Sequence, residues 1–200
     1  MLLLLISIVA PAAQAAVDEE MDDDPMMTTM DGAGGECSSK PVSVEEACRG
    51  ASETHAGVAY DHCVASLLGA DKDKAAGTMH GLAMLATKQA IDHAASTEAK
   101  IDDLAELLEG DEAAPEARAR FNHCLEQYAG AADLLRNALD NLKARIYGKA
   151  MEQLAAALGA SESCEDAWKG AEAGAIPVAA HDREYGRMTH IALGFTHAAA

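Results

Sequence analysis

The chain has 200 residues and a mass of 20.8 kDa, room for one domain or a small domain with tails. Half of its residues are hydrophobic, yet 45 are Ala and only 7 are aromatic, which favours closely packed helices and disfavours a β-sandwich or barrel. Fifteen Lys and Arg against 33 Asp and Glu give a formal charge of −18. That balance excludes a nucleic-acid binder working by phosphate neutralisation and disfavours docking on an anionic membrane.

The first nine residues, MLLLLISIV, are followed by Ala10-Pro11-Ala12-Ala13-Gln14-Ala15-Ala16. A short apolar core and small residues at Ala13 and Ala15 predict a secretory signal, residues 1–15, cleaved after Ala15. A membrane anchor needs roughly 20 apolar residues, more than this stretch supplies. Between 18 and 36 come eight acids, no Lys or Arg, four Met and the run Gly32-Ala33-Gly34-Gly35. With no periodic apolar face the segment cannot offset its ordering entropy, so residues 16–43 read as an acidic, disordered leader. Its Met thioethers and carboxylates also suit copper(I) or calcium, which would make the chain a metal- or ligand-binding helical module. Neither a tight Met repeat nor the D-x-D-x-D-G calcium grammar is present, however.

Helical periodicity begins after the leader. Met79, Leu82, Ala83, Ala86 and Ala90, then Ile101, Leu104, Ala105 and Leu108, predict a long helix over about 77–109, with Gly110 as its stop. Phe121, Cys124, Leu125, Tyr128, Ala132, Leu135, Leu139 and Leu142 form a heptad-like stripe over about six turns, opened near Pro115. Ile146, Ala150, Leu154, Ala157 and Leu158 predict a third helix with Gly159 just beyond it. A fourth runs through Glu184, Met188, Ile191 and Phe195 beyond Pro177, and no alternating strand is evident. Four amphipathic helices with short connections predict an all-α, antiparallel up-down-up-down bundle over residues 44–200.

The five cysteines are Cys37, Cys48, Cys63, Cys124 and Cys164, with no C-x-x-C among them. In a secreted chain four would form disulfides, and three pairings of four are open. Cys37, in the leader, is the candidate for the odd thiol and for a dimer through it. Cys48 and Cys63 are 15 residues apart, about 22 Å along a straight helix, so pairing them requires the chain to double back. Ser52 to Gly57 offers such a reversal, giving an N-terminal helical hairpin before the bundle.

The chain carries no recognisable catalytic motif. G-x-S-x-G, H-E-x-x-H, a P-loop, G-x-G-x-x-G and N-x-[ST] are all missing, and no E-x-x-H lies on the long helices. His80, His93, His123 and His190 are scattered over different helices, and Met79, Met84, Met151 and Met188 read as core filling. Asp102, Asp103, Glu106 and Glu109 read as a solvated face. The sequence therefore predicts no catalytic residues, no metal site and no cofactor.

Around the cysteines a pattern emerges. Val44-Glu45-Glu46-Ala47-Cys48 and Tyr60-Asp61-His62-Cys63-Val64, then Phe121-Asn122-His123-Cys124-Leu125-Glu126-Gln127-Tyr128, then Ala155-Ala156-Ala157-Leu158 followed by Ser163-Cys164-Glu165-Asp166, cover nearly all of 44–200. This resembles the plant invertase and pectin methylesterase inhibitor family, most closely its plane-tree pollen allergen subset, described as invertase inhibitors. The resemblance implies a four-helix bundle with an N-terminal hairpin and the bridges Cys48–Cys63 and Cys124–Cys164. It also implies a secreted, non-catalytic protein of the plant cell wall, the apoplast, that covers the substrate cleft of pectin methylesterase or acid invertase in a 1:1 complex. Invertase-directed members carry a Pro-Lys-Phe tripeptide near the start of the helix after the C-x₃-Y helix. Here that region reads Lys143-Ala144-Arg145-Ile146-Tyr147. The departure favours pectin methylesterase as the target, whose inhibition in the family uses a broad helical face with no short signature; Lys143, Arg145 and Tyr147 are the candidate target-interface residues, Arg145 and Tyr147 as a cation and a ring suited to an acidic sugar cleft. Ile146 or Tyr147 equally suits a place in the core.

Overall fold

Ser43 and Thr78 start the first and third helices of this chain for the same reason: each has a short oxygen-bearing side chain that caps unpaired helix N–H groups. In the computed structural model, which describes residues 40–70, 77–108, 115–170 and 177–200, Ser43 and Glu46 form a reciprocal capping box at α1 (Val44–Thr54). The Thr78 hydroxyl accepts from the Gly81 N–H at 3.1 Å to open α3 (Met79–Glu106). Between them lies α2 (Tyr60–Ala70), and after them α4 (Pro115–Lys143), α5 (Tyr147–Trp168) and α6 (Ala179–Ala199). Residues 1–15, read from sequence as a signal, lie outside the described residues, as do Cys37 and Gly110.

Each of α3 to α6 packs along its chain neighbours, and α6 closes against α3, so the four form a ring in sequence order. That is the up-down-up-down bundle expected from the apolar periods. Its axis is filled by Leu82, Ala86 and Ile101 from α3, Phe121, Tyr128, Leu135 and Leu142 from α4, Leu154 and Trp168 from α5, and Tyr185, Met188, Ile191 and Phe195 from α6. Each fully buried Leu contributes about 2 kcal/mol of transfer free energy, and the many Ala between them let the helices approach. Disulfides join Cys48 to Cys63 and Cys124 to Cys164, with Cα separations of 5.7 and 4.8 Å. The first closes the α1–α2 hairpin, which rests on α6, and the second staples α4 to α5.

Three expectations need correction. Residues Pro41 and Val42, counted in the leader, form a strand (β1) paired antiparallel with Gly77–Thr78 (β2), so regular structure reaches into the span read as leader and includes a strand pair. Gly159 does not end α5. A Cβ there would meet open space, and the helix runs on because Ala160, Cys164 and Trp168 continue its buried face. Ile146 is neither helical nor core: it precedes α5 and is 44% exposed.

A cationic turn as candidate docking surface

The end of α4 determines the shape of the α4–α5 turn. The Arg145 N–H donates to the Leu142 carbonyl and the Ile146 N–H to that of Asn141, both at 2.8 Å. This is a Schellman closure, and it requires its penultimate residue in the left-handed region. Glycine is usual there; here it is Arg145, at φ 56°, the single non-glycine with positive φ among the described residues. An L-residue in that conformation costs about 1 kcal/mol or more. The backbone reversal places Arg145 and Ile146 on the outside of the bundle, beside Lys143 at the helix end and Lys149 in the first turn of α5.

From 141 to 151 the chain carries Lys143, Arg145 and Lys149 and no acid, in a protein of charge −18. Lys143 Nζ pairs with Asp140 at 2.7 Å, a solvent-exposed contact of little energetic weight. Arg145 donates to the Tyr147 hydroxyl at 3.4 Å, and that hydroxyl lies 3.1 Å from His80 Nδ1 in the first turn of α3. The Tyr147 and His80 rings meet edge to face, 5.8 Å apart at 87°. Burial, with the Arg145 cation nearby, lowers the His80 pKa and so favours the neutral ring beside the Tyr147 hydroxyl. Tyr147 is therefore half-buried and turned into the end of the bundle, whereas Lys143, Arg145 and Ile146 face solvent. The structure brings the three candidate residues together in one turn and divides them into two exposed cations and one supporting ring.

Two open grooves flank α4 farther along the bundle. One, of about 560 Å³ between α3 and α4, has an Ala95, Ala99 and Ala129 floor and an acidic rim of Glu98, Asp102 and Glu126. The other, of about 330 Å³ between α4 and α5, is lined largely by small residues including Gly130, Ala156 and Gly159. Leu125, expected in the core stripe, lines the first groove instead.

Two serine–histidine contacts escaped the sequence reading. His123 Nε2 lies 2.9 Å from Ser163 Oγ, and His62 Nε2 lies 3.3 Å from Ser66 Oγ and 3.4 Å from Glu184 Oε2. Neither has the form of a nucleophilic relay, which needs one partner on each ring nitrogen and free N–H donors for an oxyanion. In the second contact both partners share Nε2. Ser66, His123 and Ser163 also sit inside helices, whose N–H groups are spent on the backbone. Among the described residues no three His, Cys, Asp or Glu could hold a metal ion. The metal-binding reading of the leader concerns residues 18–36, outside the described part.

Comparison with known proteins agrees with this architecture. Residues 42–194 match the family model described as plant invertase/pectin methylesterase inhibitor. A Platanus acerifolia protein named "Putative invertase inhibitor" is 29% identical over 153 residues, covering 76% of this chain and 83% of that one. A protein of the same name from Platanus orientalis is also 29% identical and covered to 87%. The fold is that of a pectin methylesterase inhibitor from Arabidopsis thaliana, with TM-score 0.56 at 18% identity over 78% of this chain and 97% of that one. A mutant form of an Arabidopsis inhibitor gives TM-score 0.59 at 19% identity, over 69% and 88% of the two chains. With a helical bundle, two disulfides and a family match across 153 residues, this chain belongs to the plant invertase/pectin methylesterase inhibitor family.

Proposed function

We propose that the chain is a secreted, non-catalytic inhibitor of pectin methylesterase that docks as a rigid body, one to one, over the enzyme's substrate cleft. The observation that carries this reading is the α4–α5 turn. It lacks Pro-Lys-Phe, and its ring, Tyr147, is occupied with His80 instead of projecting toward a sugar. Lys143 and Arg145 are the contact cations, with Ile146 beside them, and Tyr147 is their support. Two disulfides preorganise the bundle, so docking loses little conformational entropy. The overall negative field speeds encounter with a basic enzyme, an effect that weakens with salt. Secretion to the cell wall is supported by the signal-like residues 1–15 and by disulfides, which persist in oxidising compartments. No helix among the described residues is long and apolar enough to cross a membrane.

The names of the two Platanus relatives favour acid invertase as the second reading. Side-by-side titration of the purified chain into pectin methylesterase and acid invertase assays separates the two. Loss of esterase activity supports the proposal, loss of invertase activity alone reassigns the target, and loss of neither removes the inhibitor role.

A further inference from the structure

Opposite charges are gathered at two separate places on this surface. Along the groove of about 560 Å³ between α3 and α4, Glu98 and Asp102 stand one helical turn apart on α3, and Glu126 of α4 lines the other side. Like charges four residues apart on a helix repel, and among the described residues no cation pairs with any of the three. The floor between them is apolar, and Leu125 remains partly exposed there. The α4–α5 turn has the complementary make-up. Lys143, Arg145 and Lys149 flank Ile146, which at 44% exposure is one of two large hydrophobic side chains left out of the core among the described residues. The other, Leu107, has no Lys or Arg within four residues on either side. One molecule cannot bring its own two surfaces together. Ala129 in the groove and Lys143 in the turn are 14 residues apart on the same continuous helix, about 21 Å, so the turn of one copy reaches only the groove of another.

We propose that the chain associates head to tail with a second copy of itself, Ile146 seated on the apolar floor of the α3–α4 groove and Lys143 and Lys149 paired with Glu98, Asp102 and Glu126. Because the two surfaces differ, each pair of copies keeps one turn and one groove unused, and further copies can add. The net charge of −18 opposes the approach. Near 0.15 M salt, however, charges are screened beyond about 8 Å, and groups paired in the groove lie well inside that distance. One turn in one groove is a small contact beside the roughly 1,200 Å² of stable complexes, so the association is weak and depends on concentration. A turn held by a neighbour is withheld from the target enzyme, and dilution releases it. That consequence rests on the inhibitor role proposed above; the association itself does not.

Sedimentation of the full oxidised chain, with no enzyme present, tests the contact. In about 0.15 M salt the average mass should rise as the chain is concentrated from about 10 μM to about 1 mM. It should fall back toward one copy in about 1 M salt, where the screening length is about 3 Å. Lys143→Gln/Lys149→Gln and Glu98→Gln/Asp102→Asn each remove one side of the contact and should each hold the chain at one copy. These side chains lie outside the core, so folding does not depend on them. An equimolar mixture of the two variants retains one intact turn and one intact groove, and should recover an association that stops at two copies. A wild-type mass that responds to neither concentration nor salt, as a monomer or a dimer linked through Cys37 would behave, overturns the proposal. So does either variant associating like the wild type, or a mixture that remains at one copy. Each of these results leaves the inhibitor reading standing, because no enzyme enters the measurement.

Discussion

Replacing Asp182 with Asn isolates the electrostatics of a carboxylate buried in the first turn of α6. Asp182, on α6, is 2% exposed; it accepts a hydrogen bond from the Tyr128 hydroxyl of α4 and faces Glu165 of α5. Burial, followed by the Glu165 charge, raises its pKa from 3.8 to about 6 against the opposing pull of Tyr128 and Arg183. Because the folded chain holds this proton more tightly than the unfolded one, the stability it contributes is whole below pH 3.8 and is lost as pH rises through about 6. A displacement of that size corresponds to about 3 kcal/mol. Asn keeps an oxygen for the Tyr128 O–H, offers an amide to Glu165 and never ionises. Asp182→Asn should therefore exceed the wild type by up to about 3 kcal/mol near pH 7.5 and by almost nothing below pH 4. Urea midpoints of the two proteins at both pH values give the difference, in which the titration of His62 and His190, common to both, cancels. A difference that does not grow with pH, or an Asn variant weaker near neutrality, would refute the reasoning.

Other outcomes follow from the same structure. Breaking Cys124–Cys164 by paired Ser substitution should cost about 4 kcal/mol in the loop-entropy model and breaking Cys48–Cys63 about 3, the loops spanning 40 and 15 residues, as read from urea midpoints. Arg145→Gly relieves the left-handed strain of the α4 closure, so it should raise stability by about 1 kcal/mol while weakening inhibition. That opposite movement distinguishes a strained contact residue from an incidental one in paired melting and inhibition assays. Lys143→Glu/Arg145→Glu should leave the melting temperature nearly unchanged and weaken inhibition through faster dissociation, because the two contact cations are lost, while association with a basic enzyme does not slow.

The four long helices were legible because their apolar residues recur with the helix period over many turns. Phe121, Cys124, Tyr128, Leu135 and Leu142 are all buried as that stripe requires. What escaped was set by contacts distant in sequence. The β1–β2 pair is too short to show alternation, and its register depends on Pro41 and Val42 meeting Thr78 and Gly77. Gly159 has the look of a helix stop, yet the buried Cys164 and Trp168 beyond it outweigh the roughly 1 kcal/mol that a mid-helix glycine costs. Tyr128 read only as part of the apolar stripe, because nothing in a spacing of 54 residues announces its hydrogen bond to Asp182. The cationic turn was visible as Lys143, Arg145 and Tyr147, but not the division of labour within it. That division rests on the φ of Arg145 and on His80, 67 residues upstream of Tyr147. The histidines scattered over separate helices gave no hint that His55 and His190 meet beneath Gly57.

The central claim is that a helical surface, with no reactive group, stops an esterase. Adding the pure oxidised chain stepwise to pectin methylesterase while following methanol release tests it most directly. The account predicts that the rate falls in proportion to inhibitor and reaches its floor at a single equivalent. Esterases that keep their full rate in an excess of the chain, or methanol released from pectin by the chain alone, would contradict it.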